Sequence, residues 1–173
     1  MEDLAKAVEF VEKFMNICKA EENSSKIKNN KKYICDAYKK LSELNSKLGN
    51  SSAALTNLEA LFDIGVNDNN KQGQAEATLK LGLLNYEERL FPSSVRFFTK
   101  HFDLTRTLKD QNLKDGSVKD VPVIDGSIVD KSRVNLGIAQ ANQQIDKYFK
   151  LIMSDVHSVI NYLDDPKAES EKK

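Results

Sequence analysis

Apolar residues return along this chain at helical spacing. Tyr38, Leu41 and Leu44 share one face of a helix, and Ala54, Leu58, Leu61 and Ile64 form the stripe of a second. Leu48-Gly49-Asn50 makes the turn between them. The pattern returns 40 residues further on, over Ala75–Leu104, with Leu81-Gly82 in the middle of one helix and Ser94, Phe98, His101 and Leu104 on the next. A mid-helix Gly costs about 1 kcal/mol relative to Ala, so Gly82 predicts a neighbouring helix packed closely on it. Pro92 falls just inside the second helix, where its missing N–H costs little. Asp130–Asn142 repeats the Leu-Gly signal at Leu136-Gly137, and a further helix is predicted to turn Phe149, Met153, Val156 and Ile160 inward. Ala7, Val11, Phe14 and Ile17 read as the second helix of a unit whose first helix is absent.

The connectors are of two kinds. Glu21–Lys32 and Gly65–Lys71 are polar linkers, whereas Lys109–Val129, with Gly116, Pro122 and Gly126, is longer than a packed repeat needs. That segment holds the apolar patch Val121, Val123 and Ile124, predicted either to tuck onto the array or to contact a partner. One helical pair cannot bury its apolar face alone, so stacking on neighbours must supply the core.

The unit AEATLKLGLLNYEERLFPSSVRFFTKHFDL (Ala75–Leu104) resembles the tetratricopeptide repeat, or TPR. Small residues stand at Ala75 and Ala77, Leu81-Gly82 is central, and Ser94, Phe98, His101 and Leu104 follow in the second helix. The resemblance implies an all-α, right-handed superhelical solenoid of stacked antiparallel helix pairs over residues 1–163. A half repeat is expected over 1–20, repeats near 33–64, 75–108 and 128–163, a loop over 109–129, and a charged flexible tail over 164–173.

Composition narrows function. Lys+Arg and Asp+Glu are both 26, so no basic excess marks a nucleic-acid or membrane-surface binder. No apolar run reaches the ~20 residues that span a bilayer, and no charged-then-apolar leader opens the chain, so membrane insertion is not expected. Cys18 and Cys35 make no disulfide framework, which points to a reducing, intracellular setting. His101 and His157 lie on helix faces without a cluster of metal-ligand spacing. Asp68–Gly73 begins like a calcium loop but has Leu79 where the terminal Glu is required. No phosphate-cradling loop or nucleophile elbow occurs. No enzyme activity, metal or cofactor is expected.

In TPR proteins the first helices of successive pairs line a concave groove. The resemblance places Lys39, Glu43 and Lys47 on it from the early unit, with Asp36 and Ser46 beside them. The central unit supplies Glu76, Leu79, Leu83, Tyr86 and Glu87, and the last Lys131, Val134, Ile138 and Asn142. The groove grades from charged to apolar, a bed for an amphipathic helix or extended peptide. Leu79, Leu83, Val134 and Ile138 serve equally well in a reading where they only seal adjacent pairs. Chaperone-binding TPR domains clamp an acidic C-terminal peptide with Lys and Asn, then Asn, then Lys and Arg. Here Lys39 and Lys131 match, while Glu43, Lys80 and Asn135 replace Asn, Asn and Arg.

Lys71–Phe98 and Asp130–Phe149 (DKSRVNLGIAQANQQIDKYF), with Asn161-Tyr162-Leu163, resemble the C-terminal part of ciliary axonemal TPR proteins of the tetratricopeptide repeat protein 29 type. That implies a non-catalytic protein-protein interaction scaffold, associated with axonemal dynein or its docking components, in the cytoplasm and the cilium or flagellum. The competing expectation is a cytosolic TPR adaptor or co-chaperone that binds peptide C-termini.

Overall fold

The computed structural model describes residues 2–20, 30–115 and 126–154, and its elements are all α-helices. In chain order they are α1 (Glu2–Ala20), α2 (Asn30–Lys47), α3 (Ser51–Asn67), α4 (Lys71–Glu87), α5 (Phe91–Asp115) and α6 (Gly126–Ser154). Each helix packs on the next along the chain, from α1 on α2 to α5 on α6. No helix among the described residues is long and apolar enough to cross a membrane.

One turn geometry is used three times. Gly49, Asn69 and Arg89, spaced 20 residues apart, have φ of 76°, 51° and 59°. At each, the left-handed residue donates its N–H to the carbonyl three back, and the next residue donates to the carbonyl five back. Thus Gly49 pairs with Ser46 and Asn50 with Asn45, Asn69 with Val66 and Asn70 with Gly65, Arg89 with Tyr86 and Leu90 with Asn85. This is the Schellman arrangement, which satisfies carbonyls that a helix end would orphan. The next helix begins at once, and Asn70 caps α4 by accepting the Gly73 N–H at 3.0 Å. Three-residue turns leave no slack, so α2 through α5 are held antiparallel to their neighbours.

The same interval repeats inside the helices. Asn45 and Asn85 are both buried and donate to Leu41 O and Leu81 O, at 2.9 and 2.8 Å. Buried Leu41 and Leu81, Ala54 and Ser94, and Leu58 and Phe98 likewise stand 40 residues apart. Ala54, Leu58, Leu81 and Leu84 form the central cluster, with Leu55, Phe62 and Phe97 packed around it. Gly82 is where the sequence placed a close contact: a Cβ there would come 2.6 Å from the Phe98 ring, and Ser94 Oγ donates to Gly82 O at 2.9 Å.

Three expectations are corrected. First, α5 continues through Lys109 to Asp115, and α6 already begins at Gly126, so both ends of the expected 109–129 loop are helical. Nothing in Lys109–Asp115 breaks a helix; the first Gly is Gly116. Second, α6 runs unbroken past Asn142, so Phe149 and Met153 belong to the same helix as Leu136-Gly137 and are exposed. No Gly or Pro lies between Asn142 and Phe149 to end it, and a Cβ on Gly137 would meet nothing within 4 Å. Val156 and Ile160 lie outside the described residues. Third, Ala7 and Val11 of α1 are half-buried, but Phe14 and Ile17 are exposed. The helix turns Cys18 and the Val11 side to α2, leaving Phe14 an edge-on contact with Tyr33 at 6.2 Å.

Candidate protein-binding groove

Polar side chains link alternate helices. Lys39 of α2 pairs with Glu76 of α4 at 2.6 Å, and Lys80 of α4 with Glu43 of α2 at 3.1 Å. Lys31 meets Asp68 at 2.7 Å, and Ser51 Oγ donates to Glu88. All four pairs are separated by 37 residues in sequence. Further along, Asn142 of α6 donates its Nδ2 to Tyr86 OH of α4 at 3.0 Å. Hydrogen bonding from Lys80 holds the Glu43 carboxyl below the usual carboxylate range, against a smaller upward push from burial. These pairs are partly exposed, so each contributes at most about 1 kcal/mol. Their effect is on the surface: Lys39 and Glu43 of the early patch are neutralised by Glu76 and Lys80 of α4 instead of facing a ligand.

Two cavities open along this face. The first, about 300 Å³, lies between α2, α3 and α4. Leu58 and Leu84 form its buried floor, Leu83 one wall, and Lys47 and Glu87 its rim. The second, about 410 Å³, lies between α4, the start of α5 and α6, and is reached over the same Glu87. Tyr86 and Phe91, edge to face at 5.7 Å, line it together with Ile145 and Phe149 of α6. Among the described residues Lys47, Glu87 and Arg89 have no side-chain partner, so these three unneutralised charges sit around the apolar cavities. An apolar trough with one cation and one anion at its rim accepts an amphipathic segment and orients it.

The structure therefore divides the residues read from the sequence. Glu43, Lys47, Leu83 and Glu87 meet at the first cavity, and Tyr86, Glu87 and Asn142 at the second. Lys39 and Glu76 are tied to each other, and Leu79 is half-buried. Lys131, Val134 and Ile138 line neither cavity and are exposed on α6. The tie between Lys39 and Glu76, and Glu43 beside it, leave little attraction for an acidic peptide terminus. Val121, Val123 and Ile124 lie outside the described residues, as does His157.

His101 is buried, and its Nδ1–H donates to Ala75 O at 2.9 Å; burial pushes its pKa below the ordinary value. Burial pushes the Cys35 thiol up, and Cys18 is enclosed, its carbonyl accepting the Asn30 side-chain amide. Among the described residues no three His, Cys, Asp or Glu side chains come together as a metal-binding group.

The sequence reading missed a third cavity, about 460 Å³, between α1, α2 and the end of α3. Lys19 and Tyr38 wall it, with Lys19 Nζ donating to Tyr38 OH at 2.8 Å. It also missed the linked helices, although opposite charges 37 residues apart at Lys31 and Asp68, Lys39 and Glu76, and Glu43 and Lys80 were a readable signal. No family model matches the chain, and no curated protein and no solved structure matches it either.

Proposed function

We propose that this chain is a non-catalytic interaction scaffold, a TPR-like right-handed superhelical solenoid that receives an amphipathic segment of a partner protein along α2 and α4. The carrying observation is the first cavity, whose Leu58–Leu83–Leu84 lining is flanked by unpaired Lys47 and Glu87 while the neighbouring charges cancel in pairs. Supporting the repeat reading are the Schellman turn at 20-residue intervals and the buried positions that recur at 40.

The setting follows from the resemblance of Lys71–Phe98 and Asp130–Phe149 to ciliary axonemal TPR proteins. The partner in this reading is an axonemal dynein or docking component, and the location the cytoplasm and the cilium or flagellum. The test is affinity capture from ciliated cells with the full chain and with Leu83→Asp, which places a charge in the apolar trough. Axonemal or dynein components recovered with the parent and lost with the variant are expected. Recovery of cytosolic chaperones alone would sink the ciliary reading, and equal recovery by Leu83→Asp would sink the trough.

A further inference from the structure

We infer that the second cavity, between α4, the start of α5 and α6, binds the guanidinium of an arginine side chain on a partner protein. The inference rests on reading the chain as a protein-binding scaffold, but not on the first cavity. It starts from the rings. Tyr86, Phe91 and Phe149 come from three different helices to line one space of about 410 Å³. Tyr86 and Phe91 stand at 66° with centroids 5.7 Å apart, so their planes form a corner and not a stack. Elsewhere this chain covers ring faces with its own cations: Lys19 over Tyr38 at 5.0 Å, Arg96 over Phe97 at 4.8 Å and Lys100 over Phe62 at 4.1 Å. Among the described residues no Lys or Arg sits over Tyr86, Phe91 or Phe149. The face of an aromatic ring attracts a cation, so three uncovered rings around one cavity are an open place for one.

The polar groups select the same ligand. Asn142 Nδ2 donates to Tyr86 OH at 3.0 Å and to Ile138 O at 2.9 Å, so both amide hydrogens are committed and Oδ1 is left as an acceptor. The same bond holds the Tyr86 ring in place before a ligand arrives. Glu87 adds a carboxylate with no side-chain partner among the described residues. Asp146 adds another; its partner Lys150, at 2.7 Å, does not line the cavity, and the Lys150 side chain is 76% exposed. Against these stands one cation, Arg89, so carboxylates outnumber cations two to one in the lining.

An apolar occupant would strand these acceptors away from water, and an anion would meet the two carboxylates. A guanidinium meets both requirements. Its flat faces stack on rings, and its fork of N–H donors reaches a carboxylate and an amide oxygen together. It is also less strongly hydrated than an ammonium, so it enters an aromatic cavity at less cost than lysine.

The probe is N-acetyl-arginine methylamide, titrated into the full chain and followed through the ring proton resonances of Tyr86, Phe91 and Phe149. Its control is the citrulline analogue, which has nearly the same shape and no charge. The arginine compound is expected to bind about tenfold tighter. Glu87→Gln should reduce that preference to about twofold. Phe149→Ala, at a position 62% exposed, should weaken arginine binding about threefold with an unchanged far-ultraviolet circular dichroism spectrum. Arg89→Gln removes the opposing charge and should tighten binding about twofold. Equal binding of the arginine and citrulline compounds, or of the arginine compound and its lysine counterpart, overturns the inference. So does no binding at all, or a preference for arginine that survives Glu87→Gln. Leu83→Asp, which charges the first cavity, should still bind the arginine compound. Failure of the capture experiment with this binding intact speaks against the proposed partner and not against this site. Loss of arginine binding in Leu83→Asp would instead put the cation in the first cavity and overturn the inference.

Discussion

The ring of Phe98 occupies the space in which a side chain on Gly82 would begin, with two ring carbons 2.6 Å from the position of an added Cβ. Phe98 is itself buried, so it has no room to step back. Gly82→Ala gains about 1 kcal/mol of helix propensity, yet overpacking costs about 1–3 kcal/mol and should win. Chemical denaturation is expected to show a less stable variant, with much of the loss recovered in a Phe98→Leu background. A Gly82→Ala protein that melts above the parent would mean that α4 and α5 do not meet this way.

Arg89 takes the left-handed conformation that Gly49 and Asn69 take in the two earlier turns. Glycine enters it freely and asparagine with little difficulty, but a long side chain pays roughly 1–2 kcal/mol. Part of that returns through the unfolded state, which gains entropy when a residue becomes glycine. Arg89→Gly is therefore expected to stabilise by about 0.5–1 kcal/mol in urea titrations. A loss of stability would show that the guanidinium makes a contact that offsets the strain.

The part of the fold that could be read in advance depends on burial recurring at a fixed interval. Leu41 and Leu81, or Ala54 and Ser94, occupy equivalent enclosed positions, and enclosure restricts residue type strongly enough to leave a pattern in one sequence. The end of α5 and the course of α6 were misread because an analogy of repeat length was set against local chemistry. Lys109–Asp115 and Asn142–Phe149 contain neither Gly nor Pro, and the helices accordingly continue. At the groove, residue types on the first helices were legible, but their pairing was not. Lys39 and Glu76 come from different helices and meet only after α3 has set the spacing between α2 and α4. Nothing local in the sequence distinguishes Lys39, which is tied, from Lys47, which is free.

His101 gives the fold a dependence on pH whose sign is fixed. Its neutral ring donates to Ala75 O, and burial lowers its pKa from the ordinary 6.5. The unfolded chain therefore binds this proton more readily than the folded one. The contribution is complete above about 6.5, declines as the pH falls below that value, and levels off once the lower folded pKa is passed. Urea midpoints for the parent should fall between neutral and mildly acidic solution by more than those of His101→Gln, which keeps a donor but cannot titrate. Equal slopes for the two proteins would remove His101 as the cause.

The link between Glu43 and Lys80 should register as a weak, salt-sensitive coupling and not as a major source of stability. Its atoms are 3.1 Å apart, and Lys40 adds a looser contact to the same carboxylate at 3.7 Å. Both side chains remain partly exposed, so solvent screens the attraction and the pair is worth about 0.2–1 kcal/mol. A double-mutant cycle through Glu43→Ala and Lys80→Ala is expected to return a coupling in that range and to shrink in high salt. Because Glu43 titrates below the ordinary carboxylate range, the coupling is present at and above the unfolded pKa and is lost as the pH falls through the lower folded one. A coupling indistinguishable from zero in low salt at neutral pH would show that this pair plays no part in holding α2 and α4 at their spacing. The charge cancellation along the groove would then be incidental to the packing of the helices.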